Sequence, residues 1–125
     1  PDASAFVFHA KEHDGRHRIG LQTLEIRATR RFIGPSDTGI PYTTPYPSPD
    51  GRHVAYTARV DGTAQVFVMR IDGTHPQQVT HGNEPSMFPA WSPIGHRLVV
   101  VRGDPTSRDA PAGRLVVLPL TTSAA

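Results

Sequence analysis

The 125-residue sequence contains no cysteine, so its fold cannot depend on disulfides. No apolar run approaches the ~20 residues of a membrane-spanning helix, and nothing reads as a signal peptide. An excess of one charge is also missing. Thirteen basic and eleven acidic residues leave a formal net charge of +2. The arginines are scattered, and the tightest group, Arg27, Arg30 and Arg31, falls where a turn between strands is expected. A nucleic-acid surface needs a clustered basic stripe, so no nucleic-acid partner is expected. Amphipathic helical periodicity is absent too. The spacing of the 13 prolines and 11 glycines leaves no room for the crossover helices of a parallel α/β sheet.

What the sequence does have is a regular stretch from Tyr46 to Thr80, YPSPDGRHVAYTARVDGTAQVFVMRIDGTHPQQVT. Three Asp-Gly pairs, Asp50-Gly51, Asp61-Gly62 and Asp72-Gly73, stand eleven residues apart. Between them lie HVAYTA and QVFVMRI, and a third short strand is expected from Gln77 to Thr80. β-rich runs separated by such pairs read as successive antiparallel strands. Glycine supplies the positive φ of a tight turn, and aspartate bonds back to nearby backbone. Along QVFVMRI, Val66 and Val68 face one way while Phe67, Met69 and Ile71 face the other. Both faces are apolar, so the strand requires cover on both sides.

The stretch has imperfect copies. A shift of 44 residues superposes Pro41, Pro45, Ser48, Pro49 and Gly51 on Pro85, Pro89, Ser92, Pro93 and Gly95. A shift of 48 places Phe6-Val7-Phe8 on Val54-Ala55-Tyr56, with Asp14-Gly15 matching Asp61-Gly62 after a one-residue slip. Units of 1–46, 47–90 and 91–125 result. A period in the mid-forties with about four short strands is that of a β-propeller blade. The expected fold is therefore all-β: about three blades of four antiparallel strands each, part of a larger ring. Both ends cut through a blade, and closed rings have roughly four to eight blades. Further blades of the same protein, or a second copy closing a six-blade ring, are expected to complete it.

Along the chain, His9, His13 and His17 cluster around a hairpin loop, which is expected to be solvated and not a zinc site. The Pro-rich segment from Gly34 to Ser48, matched by Gly82 to Ser92, should cross from the outer edge of one blade to the innermost strand of the next with little ladder pairing. Trp91 reads as a packing anchor between blades. The third unit diverges: Ile94 replaces the turn aspartate, and GDPTSRDAPAG from Gly103 to Gly113 replaces a tight Asp-Gly turn. Insertions of this kind often map to a binding face, so Arg102, Asp104 and Arg108 are the candidate partner contacts. Pro49, Asp50, Gly51, Asp61, Gly62, Asp72, Gly73, Trp91, Pro93 and Gly95 are assigned to the repeat itself.

No catalytic constellation can be assembled. There is no cysteine nucleophile, no Gly-x-Ser-x-Gly elbow and no phosphate-binding glycine loop. The seven histidines match no metal-ligand motif, and Asp50, Asp61 and Asp72 lack the alternating oxygen ligands of a calcium loop. No cofactor, metal or catalytic residue is expected.

The second unit closely resembles the TolB-type propeller repeat, which reads roughly W-S-P-D-G, strand, D-G, I-Y-V-M-D, D-G, R-L-T. Pro47-Ser48-Pro49-Asp50-Gly51 carries the opening, with proline where tryptophan is usual. Trp91-Ser92-Pro93 keeps the tryptophan, and Val66-Phe67-Val68-Met69 and Gln78-Val79-Thr80 supply the core and ending. The resemblance implies a six- to eight-bladed ring in periplasmic or secreted bacterial proteins. In the family's namesake the propeller is a docking surface for a peptidoglycan-associated lipoprotein and other envelope proteins. The repeat is also similar to that of propellers gating prolyl-oligopeptidase-type serine peptidases. The implied function is a non-catalytic protein-binding scaffold, and the alternative is an accessory propeller of such a hydrolase.

Overall fold

A computed structural model describes residues 5–23, 30–40, 44–93, 97–103 and 113–120. They form three antiparallel sheets and, among the described residues, no helix. The first sheet orders β1 (Ala5–Lys11), β2 (His17–Thr23) and β3 (Arg30–Ile33). The second contains β4 (Tyr46–Pro47), β5 (His53–Val60), β6 (Thr63–Arg70) and β7 (Gln77–Gln78), each beside its sequence neighbours. The third contains β8 (Ser86–Trp91), β9 (Arg97–Arg102) and β10 (Arg114–Pro119).

The four Asp-Gly pairs make three kinds of turn, Asp50-Gly51 lying in a four-residue loop closed by Ser48 N–H on His53 O at 2.8 Å. Asp61 and Gly62 both take positive φ, 49° and 83°, and close the two-residue hairpin between β5 and β6, the geometry of a type I′ turn. Asp14-Gly15 and Asp72-Gly73 instead end a three-residue loop. Gly15 N–H donates to Glu12 O at 2.9 Å and Glu12 N–H to Arg16 O at 2.8 Å. The same two bonds recur at Gly73–Arg70 and Arg70–Thr74, 2.8 and 2.9 Å. The one-residue slip between Asp14-Gly15 and Asp61-Gly62 is this difference in loop length.

The second sheet is buried on both faces, as the two-sided apolar pattern of β6 requires. Toward the first sheet, Val54, Tyr56, Ala58 and Met69 pack with Ile19, Leu21 and Ile33. Toward the third, Ala55, Val66 and Val68 pack with Leu98 and Val100. Fully burying each large aliphatic side chain contributes about 1.5–3 kcal/mol, so these two layers hold the three sheets face to face. The far faces of the outer sheets remain open, with Phe6 49%, Phe32 40%, Leu115 74% and Val117 55% exposed.

Two connectors join the sheets. In 34–40, the first part of the segment that begins at Gly34, Thr38 bridges the first and second sheets. Its N–H donates to His17 O at 2.9 Å and its carbonyl accepts from Arg59 N–H at 2.8 Å. The Gly82–Ser92 connector departs from the expectation of little ladder pairing, because β8 is a six-residue strand paired to β9. The prolines mislead here because a β-bulge absorbs one of them. Met87 lies opposite Val101 and Ala90 opposite Val99, so Phe88 and Pro89 together face one residue. Pro89 therefore needs no ladder donor, and Phe88 takes a φ of 54°.

Candidate functional site

The turn residues assigned to the repeat are held by local bonds. Ser48 hydroxyl donates to Asp50 Oδ1 at 2.6 Å, and the N–H groups of Arg52 and His53 donate to Asp50 Oδ1 and Ser48 Oγ at 3.0 and 3.1 Å. Pro49 pre-sets the bend, and Gly51 N–H closes it on Ser48 O at 2.9 Å. Asp72 Oδ1 accepts from Thr74 N–H at 2.9 Å and from its hydroxyl at 2.5 Å. The Ser48 bond pattern recurs before Pro93. Ser92 N–H donates to Arg97 O at 2.9 Å and Ser92 Oγ accepts from Arg97 N–H at 3.3 Å. Gly95 lies outside the described residues.

These bonds account for the acidity of the turn carboxyls. The Ser48 hydroxyl, then the Arg52 amide, hold Asp50 below the ordinary carboxylate value. The Thr74 hydroxyl and amide do the same for Asp72, and the amides of Gly39 and His17 for Asp37. Each aspartate is occupied as an acceptor from the chain beside it. Among the described residues, no three His, Cys, Asp or Glu side chains converge on a possible metal position.

Of the candidate contacts, Arg102 alone falls within the described residues, while Asp104 and Arg108 lie outside them. The Arg102 guanidinium is engaged inside the chain, donating to His81 O and to Ser86 Oγ (3.4 Å), with Glu84 at 3.6 Å. Arg114 grips the same Glu84 through two bonds of 2.9 and 2.7 Å. Arg114, more than Arg102, keeps the Glu84 carboxyl below its ordinary value. Sequence reasoning missed Glu84 and Arg114, which stand 30 residues apart with no local pattern to link them.

Trp91 joins the two inner strands. Its indole packs against the layer between the second and third sheets and donates to Tyr46 O at 2.8 Å. A buried polar chain nearby was also missed. Val66 N–H donates to Thr80 Oγ1 at 2.9 Å, the Thr80 hydroxyl to Gln65 Oε1 at 2.6 Å, and Gln65 Nε2 to Gly82 O at 2.9 Å. A glutamine entering an otherwise apolar strand was the available signal. Among the described residues, a surface hollow of about 620 Å³, open to solvent, is lined by Lys11, Glu12, His13, Asp14 and Phe32.

Successive antiparallel sheets, each strand beside its sequence neighbour and each sheet stacked on the next, are blades of a β-propeller. A TolB-assigned structure from Agrobacterium tumefaciens superposes with a TM-score of 0.72 at 25% identity, covering 96% of this chain and 43% of that one. TolB from Acinetobacter baumannii gives 0.74 at 20% identity, covering 99% of this chain and 29% of that one. The blades are thus of the TolB type. An acylaminoacyl peptidase from Pyrococcus horikoshii gives 0.61 at 20% identity over 92% of this chain and 21% of that one, a likeness of fold alone. An uncharacterized protein of Agrobacterium fabrum is 33% identical over 64 residues, 51% of this chain and 22% of that protein. The chain therefore spans less than half the length of each of these relatives. No protein-family model matches it.

Proposed function

We propose that the chain is a non-catalytic, protein-binding section of a TolB-like propeller that works in the periplasm or outside the cell. The observation that carries this reading is where the polar side chains are spent. Asp14, Asp37, Asp50, Asp72, Gln65 and Thr80 bond to adjacent backbone or to one another. What remains for a partner is surface, and surface of mixed charge with exposed aromatic area supports protein recognition. The units 1–46, 47–90 and 91–125 act as repeats, and further blades of the same protein or a second copy cover the open faces. The Gly103–Gly113 loop, with Arg102, Asp104 and Arg108, supplies the contact.

Calorimetric titration of the chain with a soluble peptidoglycan-associated lipoprotein tests this. Saturable binding that weakens about tenfold or more when residues 104–112 are replaced by a short Gly-Ser link, with an unchanged circular dichroism spectrum, is the expected result. Unchanged affinity rejects the loop as the contact. No binding by the intact chain rejects the scaffold reading.

A further inference from the structure

Near the start of β2, two histidines meet. His9 Nε2 and His17 Nδ1 lie 3.0 Å apart, and their rings are within 16° of parallel with centroids 5.1 Å apart. A nitrogen–nitrogen contact that short means the rings meet end to end through an N–H···N bond, not one above the other. Two neutral imidazoles can form it, one donating and one accepting. One added proton turns the donor into an imidazolium and strengthens the bond. A second added proton leaves N–H facing N–H between two cations, and the bond cannot exist.

The pair sits where the first and second sheets are tied. His17 N–H donates to Asp37 Oδ1 at 3.0 Å. His17 O accepts from Thr38 N–H, and Thr38 O accepts from Arg59 N–H of β5. Whatever displaces His17 pulls on this relay. Lys11 lies across the ladder from His17, and β3 brings the apolar Ile33 opposite Ile19. In the hairpin loop, Glu12 is paired with Arg16 and Arg18, and Asp14 with Arg16. The connector brings Asp37, the carboxylate bonded to the His17 backbone, and β5 turns Val54, Tyr56 and Ala58 toward this sheet while Arg59 meets the relay through its backbone N–H. Burial, and next the neighbouring His17, push His9 below its ordinary value, so the second proton is the costly one.

We propose that His9 and His17 form a proton-operated clasp on the seam between the first two sheets, closed with at most one added proton and opened by the second. Because the His9 value is lowered in the folded chain, this stability is fully present above the unfolded value of 6.5. It is lost as pH falls through the folded value.

The test is an NMR titration of the histidine side chains in the whole 125-residue chain, with amide protection measured at Thr38 and Arg59. Work above about pH 4.5 keeps carboxyl protonation separate. The expected result is two coupled steps, one below the ordinary histidine value, with protection at both amides falling about tenfold across the lower step. In His9→Phe, the acid-driven fall should vanish. Two histidines titrating independently at ordinary values, or the same fall in His9→Phe, overturns the clasp. If His9→Phe does not fold, the titration of the unaltered chain decides alone.

Discussion

At the scale of single residues, identical dipeptides do different work. Gly62 has open space where a Cβ would stand, so Gly62→Ala meets only the backbone penalty of its φ of 83°. That penalty is about 1–2 kcal/mol and should lower the urea midpoint without changing the slope. Gly20 is the reverse. Its backbone is unremarkable, but the Phe8 ring covers it and leaves no room for a Cβ. Gly20→Ala should therefore destabilise more than Gly62→Ala, with part of the loss recovered in the Gly20→Ala, Phe8→Ala double variant. The turn aspartates predict the acid response. Their folded values lie below the ordinary 3.8, so their stabilisation is present above 3.8 and lost as pH falls through the lowered values. Asp50→Asn should lower stability at neutral pH and flatten that acid limb in a pH series of melts. The Asp-Gly turns were legible because their signal is local. Asp37 was not singled out, since its partners His17 and Gly39 come together only once the connector has folded back.

At the scale of elements, β5 and β6 were readable from alternation and bounding turns alone. β8 was not, because a bulge breaks the period and its two prolines, Pro85 just before it and Pro89 within it, suggest an unpaired strand. The β6 edge holds the most demanding polar group. Thr80→Val leaves Val66 N–H without its acceptor and Gln65 Oε1 without its donor. Two orphaned buried groups should cost roughly 2–4 kcal/mol in denaturant unfolding, against under about 1 for Thr80→Ser. Trp91→Phe keeps ring bulk but loses the bond to Tyr46 O, and should cost about 1 kcal/mol by the same measure. The Glu84–Arg114 pair was invisible beforehand for a physical reason: tertiary packing, not spacing, sets contacts between residues so far apart.

At the scale of the whole molecule, repeat count and stacking were legible from the period and the two-sided strands, while the chemistry of the outer faces was not. Those faces expose Phe6 and Phe32 at one end and Leu115 and Val117 at the other. Apolar faces of this kind drive association, so the chain should scatter light as a concentration-dependent mixture. Leu115→Lys with Val117→Lys should shift it toward the smallest species, and an unchanged distribution would show that this face stays uncovered. The middle sheet has a different fate. β5 and β6 have no wet side, so neither can drift in sequence one face at a time. A change of volume on one surface is passed through a single strand's thickness to the other, and mutational tolerance should fall from the outer strands toward this pair. A saturation library sorted for folding would read out as a map of the stack, darkest along 54–58 and 65–69, the buried stretches of β5 and β6.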